Sequence, residues 1–563
     1  MIQGSGYDPT LLVIDETGTR TRIRTSSTRL CCAPLAPIEN AAGLKIDLLR
    51  HRQNLVYLFT LWDSPFSDLL TRSLPRNPTR VISRTFLPSD MRELEKITTA
   101  TTENTRHIAR WFKVPKQQRE LSRLVQNLST LSDAMISPHV PFTRLHDLIA
   151  KILAAPAAML ADFKNWFYQF KIPTSWRPWF GALLSSRRGQ LIAVHLIVLS
   201  MGLGISTYIA HSVATEIALM AAEMATEHAT ILSDAWVDNL IWLGTTADLE
   251  RVKLTLETLQ ASLCFAWSAP PTIQPRTFDF LGISFSLDSR SARPSDAIRN
   301  KLLANTQLLD NGPSVRSTLA ILGLLLWVNW AVARYPLAFF EAILGWLSAT
   351  AAISENLDAP ANIPLQVAQE IRALTAHTAR ARITLEELNA PFSVEVTLFS
   401  DASNTALAAV HLHDERPSVH IWDADPHMTI FAREALAFLL AVQVIRRPPR
   451  ILGAGIDNMN WICALHKGHS SNPKINAILR AYYRYATRHG IRASTTFFPS
   501  QKQLADFPSR RQPLPSNWRD YFVPQTPLRP LPVFRVPDAS PTDEEEEKGA
   551  VPSSTAVLHT QDF

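Results

Sequence analysis

Four acidic residues in the C-terminal part of the chain stand at the end of a predicted strand or inside a predicted helix. Asp401 follows the strand-like run VEVTLF, Glu434 lies in an apolar helical run, Asp457 ends the strand-like run RILGAGID, and Asp506 follows a polar loop. Strands that are first antiparallel and then alternate with helices predict an α/β layer with these acids at the strand ends. Converging carboxylates are hard oxygen ligands for Mg²⁺ or Mn²⁺, a combination typical of phosphoryl transfer.

Apart from these four acids, a pair of carboxylates in the N-terminal half could also bind a metal. The aromatic-rich segment 159–172 predicts a strand that carries Asp162, and the segment 231–244 predicts a hairpin with Asp238 and Asn239 at its tip. A carboxylate inside an apolar strand needs a partner, because burying it unpaired is costly. The two acids would share a metal if their strands are neighbours in one sheet. The alternative is two structural acids, each with a local arginine or backbone partner.

Several other segments have regular patterns. Arg119 and Arg123 stand four residues apart, so a helix there would project both cations onto one side, as a phosphate contact or as a solvated face. Residues 193–200 predict a strand, and a helix is expected from MGLGIS to about Ala225. The block 297–350 predicts helices. Its most apolar stretch, Leu319 to Ala333, is shorter than the roughly 20 residues of a membrane span, so we expect a buried helix.

Length and composition limit the class of protein. A chain of 563 residues, with 46% hydrophobic and 19% charged residues, predicts about four globular units at roughly 150 residues each. The sequence contains no GxGxxG and no GxxxxGK[ST] motif, which argues against a Rossmann or P-loop enzyme. Its net charge of +6 favours a polyanionic partner only weakly. The four cysteines match neither a disulfide framework nor a zinc site, and no secretory signal is visible, so we expect an intracellular protein of the cytoplasm or nucleus.

Four motifs in the first half resemble those of reverse transcriptases, in the same order. ADFKNWFYQFKI (161–172) resembles the strand with the first catalytic aspartate, and LSMGLGIS (199–206) resembles the segment that contacts template and nucleotide. WVDNLIWLG (236–244) resembles the Y-x-D-D hairpin, and FDFLGISFSL (278–287) resembles the turn that grips the primer end. The sequence departs from the family pattern at Asn239, where a second aspartate is usual, and at Trp236, where tyrosine is usual.

The resemblance implies roles for individual residues. It makes Asp162 and Asp238 metal ligands at a catalytic centre that also includes Asn239, whose amide oxygen can coordinate a metal but adds no charge. Phe167 would lie beneath the nucleotide sugar. The other residues that it implies in substrate binding are Arg119, Arg123, Met201, Gly202, Leu281 and Gly282.

The C-terminal acids resemble those of the ribonuclease H family. There SDAS, a helical REALA, a strand-terminal IDN and a final ADxxSR carry a D-E-D-D cluster, and this chain has all four acids. The resemblance implies two Mg²⁺ or Mn²⁺ ions in each of the two active sites, and cleavage of a phosphodiester by in-line attack of water. His466 and His469 either contact product phosphate or lie in a solvated loop.

Together the two resemblances imply a multidomain protein of α+β and α/β type. A right-hand polymerase with fingers, palm and thumb would be followed by a connection and a ribonuclease H-like α/β domain. The expected segments are an N-terminal extension (1–110), fingers and palm (111–290), thumb and connection (291–390), the ribonuclease H-like domain (391–512), and a Pro-rich, acidic, disordered tail (513–563).

The implied function is RNA-directed DNA polymerisation with degradation of the RNA strand of the hybrid. The expected partners are RNA template, DNA primer, RNA-DNA hybrid and dNTPs, with no membrane, and also a separately encoded recombinase and a nucleocapsid-like protein. ADxxSR and the absence of protease and integrase motifs resemble the tyrosine-recombinase retroelements of the DIRS and VIPER type. The alternative is a decayed or domesticated polymerase that binds RNA or hybrid as a scaffold, with or without ribonuclease H activity.

Overall fold

The structure is a computed structural model, and it describes most of the chain between residues 10 and 536. The described residues are 10–14, 20–24, 36–38, 43–74, 80–82, 88–101, 105–109, 111–115, 122–185, 191–225, 231–274, 276–353, 358–389, 391–413, 416–445, 450–522, 526–532, 534 and 536. Their contacts divide the chain into two compact units, Met1–Arg276 and Thr277–Phe563.

The first unit mixes helices with short strands. Its strands are β1 (Thr10–Ile14), β2 (Arg20–Arg24), β3 (Arg80–Ile82), β4 (Thr98–Ala100), β5 (Trp111–Pro115), β6 (Ser122–Gln126), β7 (Ala157–Phe163), β8 (Gly181–Ser185), β9 (Leu191–Leu196), β10 (Leu232–Trp236), β11 (Asn239–Gly244) and β12 (Trp267–Gln274). Its α-helices are α1 (Val56–Asp63), α2 (Pro88–Ile97), α3 (Ser129–Ala134), α4 (Leu145–Ala154), α5 (Gly204–Ala225) and α6 (Thr246–Leu263).

A sheet with the order β10-β11-β7-β12 forms the centre of this unit within the described residues. All its pairs are antiparallel, so residues that face each other across two strands share one side of the sheet. Trp242 of β11 points to one side, where its Nε1 donates to the carbonyl of Ala218 in α5 at 3.0 Å. Asp162 and Asn239 point to the other side, because successive side chains of a strand alternate and each lies an odd number of residues from the pair Met159 and Trp242.

Smaller sheets complete the described part of the first unit. Their strand orders are β2-β1-β3, β4-β9-β8 and β5-β6. The predicted strand at 193–200 corresponds to β9, and the predicted helix through Ala225 corresponds to α5, so both predictions are confirmed. The predicted hairpin is confirmed, since β10 and β11 pair antiparallel, but its turn lies one residue earlier than predicted: Val237 and Asp238 form it, and Asn239 is the first residue of β11.

Two predictions in this unit are wrong in their details. The strand with Asp162 ends at Phe163, and the aromatic residues that follow form the 3-10 helix Trp166–Gln169 after a left-handed turn at Asn165 (φ 47°). Arg123 lies in β6 and not in a helix, because Ser122–Gln126 pairs with Trp111–Pro115 as a two-stranded ribbon. Arg119 lies outside the described residues.

The second unit begins with a small sheet and a group of helices. Its elements, in chain order, are β13 (Thr277–Phe280), β14 (Ile283–Ser286), β15 (Ser291–Pro294), α7 (Asp296–Leu308), α8 (Val315–Val328), α9 (Glu341–Ile353), α10 (Leu365–Arg380), β16 (Ile383–Thr384) and α11 (Leu385–Leu388). The sheet order is β13-β14-β15-β16, and the helices confirm the helical block predicted for 297–350.

The apolar stretch in this block forms α8 and continues as a π-helix over Asn329–Ala333. Among the described helices, Val315–Ala333 alone is long and apolar enough to cross a membrane, with a mean hydropathy of 1.6. Half of that window is buried inside the protein. Ile321, Leu325 and Val328 supply the buried side.

The rest of the second unit is an α/β layer. Its elements are β17 (Leu398–Ala402), β18 (Ala406–His413), β19 (Arg416–Asp423), α12 (Ile430–Gln443), β20 (Ile451–Ile456), α13 (Met459–Lys467), α14 (Pro473–Arg488), β21 (Arg492–Phe497), α15 (Asp506–Ser509) and β22 (Arg529–Pro530). The sheet has the order β19-β18-β17-β20-β21-β22 in the part of the chain that the structure describes.

This sheet separates two apolar cores. Leu398 of β17 packs in the core formed with α12, α13 and α14, whereas the next residue, Phe399, packs in the core on the opposite side. Such alternation is expected of a strand buried on both faces. Strands β17, β20 and β21 run parallel, whereas β17 to β19 form an antiparallel meander, which confirms the predicted change of pattern. Asp401 was predicted to follow the strand-like run VEVTLF, but the strand is longer and Asp401 lies inside β17.

The C-terminal segment differs from the predicted disordered tail at least as far as residue 536. Arg529 and Pro530 pair with Thr495 and Ser494 as the edge strand β22, and Leu528 is buried beneath the sheet. The Phe534 ring packs edge-on against Tyr483 at 4.9 Å. Pro-rich composition predicted a solvated segment, but its apolar residues cover a sheet edge. Residues 537–563, with the acidic run, lie outside the described residues.

Candidate functional site

Three of the four predicted carboxylates of the second unit meet at one point. One oxygen each from Asp401, Glu434 and Asp457 can be chosen so that all three lie within 4.8 Å of one another. The fold explains this convergence: β17 and β20 are parallel neighbours, so Asp401 and Asp457 lie at the same end of the sheet. Helix α12 packs against β17 and brings Glu434 to that end.

Asp506 lies next to this group. It begins α15, which packs on β17 and β18, and its charge acts on both Asp401 and Asp457. Arg510 Nη2 pairs with Asp506 Oδ1 at 2.8 Å, one helical turn later. The fourth predicted acid is therefore close enough to influence the other carboxylates, while its own charge is partly balanced by an arginine.

The environment of these acids disfavours their charged forms. Burial raises the pKa of Asp401 to about 7; the Ser509 hydrogen bond opposes this rise, and the charges of Asp457 and Asp506 add to it. Burial also raises the pKa of Glu434 and of Asp457. Buried carboxylates at this distance repel one another, and a divalent cation would relieve the repulsion. Their oxygen donors are those that Mg²⁺ or Mn²⁺ prefers, so these residues fit such an ion.

Each of the three converging carboxylates also accepts a hydrogen bond from an uncharged side chain. Ser509 Oγ donates to Asp401 Oδ2 at 2.6 Å, Asn458 Nδ2 donates to Glu434 Oε2, and Ser500 Oγ donates to Asp457 Oδ2 at 3.2 Å. These residues were not among the predicted site residues, although Ser509 and Asn458 stand inside the motifs ADxxSR and IDN. An uncharged hydrogen-bonding side chain in the same motif as an acidic residue is the sequence feature that could have identified them.

A buried glutamine lies between the two parallel strands that carry acids. Gln503 Nε2 donates to the carbonyl of Ser400 at 3.3 Å and to that of Gly455 at 3.2 Å. The regular pairing of β17 with β20 ends at Phe399 and Gly455. Gln503 therefore takes over the bonding where the strands separate, just before Asp401 and Asp457.

In the first unit, Asp162 and the hairpin tip are adjacent. Asn239 faces Asp162 directly across β11 and β7, and the Phe163 amide donates to the carbonyl of Asp238 at 3.0 Å. Asn239 Nδ2 donates to Asp238 Oδ1 at 3.1 Å. All three polar side chains are partly exposed, so the two predicted acids and the amide lie together at an accessible sheet end.

The hairpin tip has an unusual backbone. Val237 adopts φ 63°, a left-handed conformation that β-branched residues rarely adopt. The buried His211 of α5 lies next to it: the Val237 amide is 3.5 Å from His211 Nδ1, and His211 Nε2 is 3.5 Å from the carbonyl of Pro141. Burial lowers the pKa of His211, which favours the neutral ring that these two contacts require. The Phe142 ring stacks on Trp236 at 4.5 Å and closes the other side.

The loop with Met201 and Gly202 lies close to β6. Gly204 N donates to Ser132 Oγ at 3.1 Å, and the Gly202 carbonyl accepts from Ser132 Oγ at 3.2 Å. A Cβ on Gly202 would stand 2.3 Å from the carbonyl oxygen of Gln126, so only glycine fits there without a shift. Phe167 is half-buried in the 3-10 helix and packs against the core of the first unit.

Leu281 and Gly282 form the two-residue turn between β13 and β14 in the second unit. Both have positive φ, 53° and 78°, as in the tight turns that match strand twist. The Ser295 amide donates to the Gly282 carbonyl at 3.0 Å, and Trp327 Nε1 donates to the Leu281 carbonyl at 3.4 Å. The turn is thereby fixed to its own sheet and to α8.

The remaining predicted residues have different positions. Arg123 faces Val114 in the backbone pairing of β5 and β6. His466 was expected in a loop but lies in the last turn of α13, where its Nε2 is 3.2 Å from Thr495 Oγ1. His469 lies in the loop after α13 and is half-buried.

Comparison with known proteins gives structural similarity alone. No protein-family model matches the sequence, and no curated protein matches it. The structure is similar to the foamy viral protease-reverse transcriptase dRH in complex with double-stranded DNA, with a TM-score of 0.44, 12% identity, and coverage of 85% of this chain and 84% of that one. It is also similar to the foamy viral protease-reverse transcriptase in complex with RNA/DNA hybrid, with a TM-score of 0.43, 13% identity, and coverage of 89% and 64%. The same enzyme in complex with double-stranded DNA gives 0.42, 13%, and coverage of 80% and 94%.

Proposed function

We propose that the protein is an RNA-directed DNA polymerase with ribonuclease H activity, which copies retroelement RNA into DNA and degrades the RNA strand of the hybrid. The observation that carries the proposal is the convergence of Asp401, Glu434 and Asp457 at one end of an α/β sheet. One buried and two half-buried carboxylates that converge on one point offer the oxygen ligands that suit metal-assisted hydrolysis of phosphodiesters.

In the nuclease half, Asp401, Glu434, Asp457 and Asp506 would hold two Mg²⁺ or Mn²⁺ ions. Such ions supply an activated water and neutralise charge on the leaving 3′-oxygen. The chain itself supplies orientation: Ser509, Asn458 and Ser500 each fix one carboxylate by a hydrogen bond. Asp401, with its pKa raised to about 7, would lose its proton when a cation binds.

In the polymerase half, Asp162 and Asp238 would be the metal ligands, and Asn239 would contribute its amide oxygen. Their adjacency across β7 and β11 supports this role. The loop with Met201 and Gly202, the ring of Phe167, and Arg119 with Arg123 would bind the template and the incoming dNTP. Leu281 and Gly282 would contact the primer end.

The proposed organisation follows the motifs. Residues 111–290 would form fingers and palm, 291–390 thumb and connection, and 391–512 the ribonuclease H-like domain, after an N-terminal extension over 1–110. We assign the element to the tyrosine-recombinase group, of the DIRS or VIPER type, because of ADxxSR. Action in the cytoplasm or nucleus, with a separate recombinase and a nucleocapsid-like protein, belongs to the same proposal.

A second candidate function is a hybrid-binding scaffold that retains only the nuclease. The observation in its favour is Asn239. Because an amide is uncharged, only the two carboxylates Asp162 and Asp238 would neutralise the polymerase cations. In that case the first unit would bind and position the hybrid without synthesis.

Two assays on the full chain separate these functions. Primer extension on poly(rA)/oligo(dT) and cleavage of an RNA-DNA hybrid are each measured with Mg²⁺ and with Mn²⁺. We expect extension to disappear in Asp162→Asn and cleavage to disappear in Asp457→Asn. The exposed acids Asp133 and Asp520 are matched controls, and their change to asparagine should alter neither activity. Cleavage without extension in either metal would support the second candidate function, the scaffold that retains the nuclease. An unmodified chain that shows neither activity would refute the proposal.

A further inference from the structure

Ser509 joins two of the candidate metal ligands. It is fully buried at the end of α15, the short helix that Asp506 begins. Its Oγ lies 2.6 Å from Asp401 Oδ2 and 3.0 Å from the carbonyl oxygen of Asp506. A hydroxyl carries one proton, and the shorter, charge-assisted contact to the carboxylate is the stronger of the two. Ser509 therefore donates to Asp401 while its backbone belongs to the turn of Asp506.

The turn that carries Ser509 is itself held in place. Ser403 Oγ donates to the Ser509 carbonyl at 2.7 Å. The buried Arg433, next to Glu434 in α12, donates through Nη1 to the Ser403 carbonyl at 3.3 Å and to Asn404 Oδ1 at 3.2 Å. One hydrogen-bond network thus connects the three elements that carry Asp401, Glu434 and Asp506.

The repulsion between the acids gives this network a role. When both are ionised, Asp401 and Asp506 carry like charges close together, so without a tie the two carboxylates would turn or move apart. A ligand that is already oriented loses less freedom when a cation binds, and removing an orienting group typically weakens metal affinity by about 10- to 100-fold.

We propose that Ser509 is a positioning residue of the carboxylate centre, whose hydroxyl fixes Asp401 relative to Asp506 and so sets the affinity for a divalent cation. This inference rests on the proposed metal site, but it does not require that the site cleaves RNA.

The test is a titration of the full chain with Mn²⁺, followed by the EPR signal of free Mn²⁺. All variants carry Asp162→Asn, which weakens binding at the polymerase carboxylates. We expect Ser509→Ala to weaken the second-unit binding by about tenfold. Ser509→Thr should restore most of the affinity. The control Ser494→Ala, which removes another buried hydroxyl bonded to carbonyl oxygens, should bind like the parent chain.

Hybrid cleavage provides a second readout. In Ser509→Ala the Mg²⁺ concentration for half-maximal cleavage should rise by a similar factor, while KM for the hybrid stays the same. If Ser509→Ala does not fold, the pair Ser509→Thr and Ser509→Val replaces it, because valine has the shape of threonine with a methyl group in place of the hydroxyl.

The outcomes distinguish the inference from the proposed function. Unchanged Mn²⁺ affinity in Ser509→Ala, together with lost binding in Asp457→Asn, would overturn the role of Ser509 and leave the metal site intact. Weakened Mn²⁺ binding in both variants, in a chain that cleaves no hybrid, would support the role of Ser509 and refute the nuclease. Unchanged binding in both would overturn the metal site and the inference together.

Discussion

Asn239 and Asp162 face each other across antiparallel strands, with the Asn239 amide donating to Asp238 at 3.1 Å. The amide thus stands beside two carboxylates. It holds Asp238 by a hydrogen bond, whereas an aspartate there would repel it unless a cation is bound. This relationship leads to the first prediction.

Asn239→Asp should raise the rate of primer extension at saturating Mg²⁺ or Mn²⁺ by tenfold or more, equivalent to about 1.4 kcal/mol of barrier. The same change should lower the thermal midpoint without divalent cations, because three carboxylates then lie together. Extension rates and melting curves, each with and without Mg²⁺, check both effects. A variant with a lower thermal midpoint but no gain in the rate of primer extension in either metal would show that the amide does not limit synthesis.

Asp401→Asn should stabilise the metal-free protein at pH 8. With its pKa raised to about 7 from an ordinary value of 3.8, folded Asp401 binds more protons than the unfolded chain between these values, so its contribution to stability falls as pH rises through that window. Each pKa unit corresponds to about 1.4 kcal/mol, so we expect a gain on the order of 4 kcal/mol at most.

Urea unfolding at several pH values checks this prediction. The gain should shrink toward pH 4, where Asp401 is protonated in the folded state and close to half protonated in the unfolded chain. The exposed Asp423, changed to asparagine, is the matched control. An equal gain at pH 4 and pH 8 would mean that ionisation of Asp401 is not the cause.

Asn458→Ala should impair both stability and cleavage. Asn458 caps α13 by accepting from the Trp461 amide at 3.0 Å, and it also donates to Glu434. Loss of the cap should lower the free energy of unfolding by about 1 kcal/mol. Loss of the donor to Glu434 should reduce hybrid cleavage by about tenfold at limiting Mg²⁺.

The control is Asn472→Ala, which removes the equivalent cap of α14, where the side chain accepts from Lys474. It should lower stability by a similar amount and leave cleavage unchanged. Equal losses of cleavage in the two variants would assign the effect to helix capping alone.

Gly202→Ala should disturb the loop between β9 and α5. Its Cβ would stand 2.3 Å from a backbone oxygen, so the loop or β6 must move, at a cost of about 1 to 3 kcal/mol. We expect weaker primer extension with hybrid cleavage retained. Gly323→Ala in α8 meets no atom within 4 Å and should be neutral or stabilising by up to about 1 kcal/mol. A fully active Gly202→Ala would show that the loop position is not critical.

Removal of residues 526–563 should destabilise the second unit. The loss exposes the edge of β21 and removes Leu528 and Phe534 from their contacts, for which we expect about 3 kcal/mol or more. Denaturant unfolding measures the change. A chain that ends at Val536 keeps these contacts and serves as control; equal stability of the two truncated chains would contradict the prediction.

Local patterns predicted much of this fold. The hairpin around Asp238, the long helix to Ala225 and the alternation of β20, α13, α14 and β21 all followed from hydrophobic periodicity, because each buries a continuous face. The acids were expected at the strand ends of an α/β layer and, by the resemblance to ribonuclease H, in one cluster; the structure brings three of them together.

Features that depend on distant residues were not predictable in the same way. Arg123 lies in a strand because a partner strand is available to pair with Ser122–Gln126. The segment at Arg529 looked solvated because proline is frequent there, yet β21 offers it an open edge. The motif ADxxSR contains Ser509 but does not show which residue its hydroxyl contacts, since the partner Asp401 lies 108 positions away in the sequence.

The left-handed Val237 has a consequence for laboratory evolution of this protein. Glycine or asparagine would adopt φ 63° at lower energetic cost, so a screen that rewards heat resistance alone should select them at this turn early. Those variants would have a more pliable hairpin tip beside Asp238. Selection for thermostability alone would therefore loosen the backbone next to a candidate metal ligand.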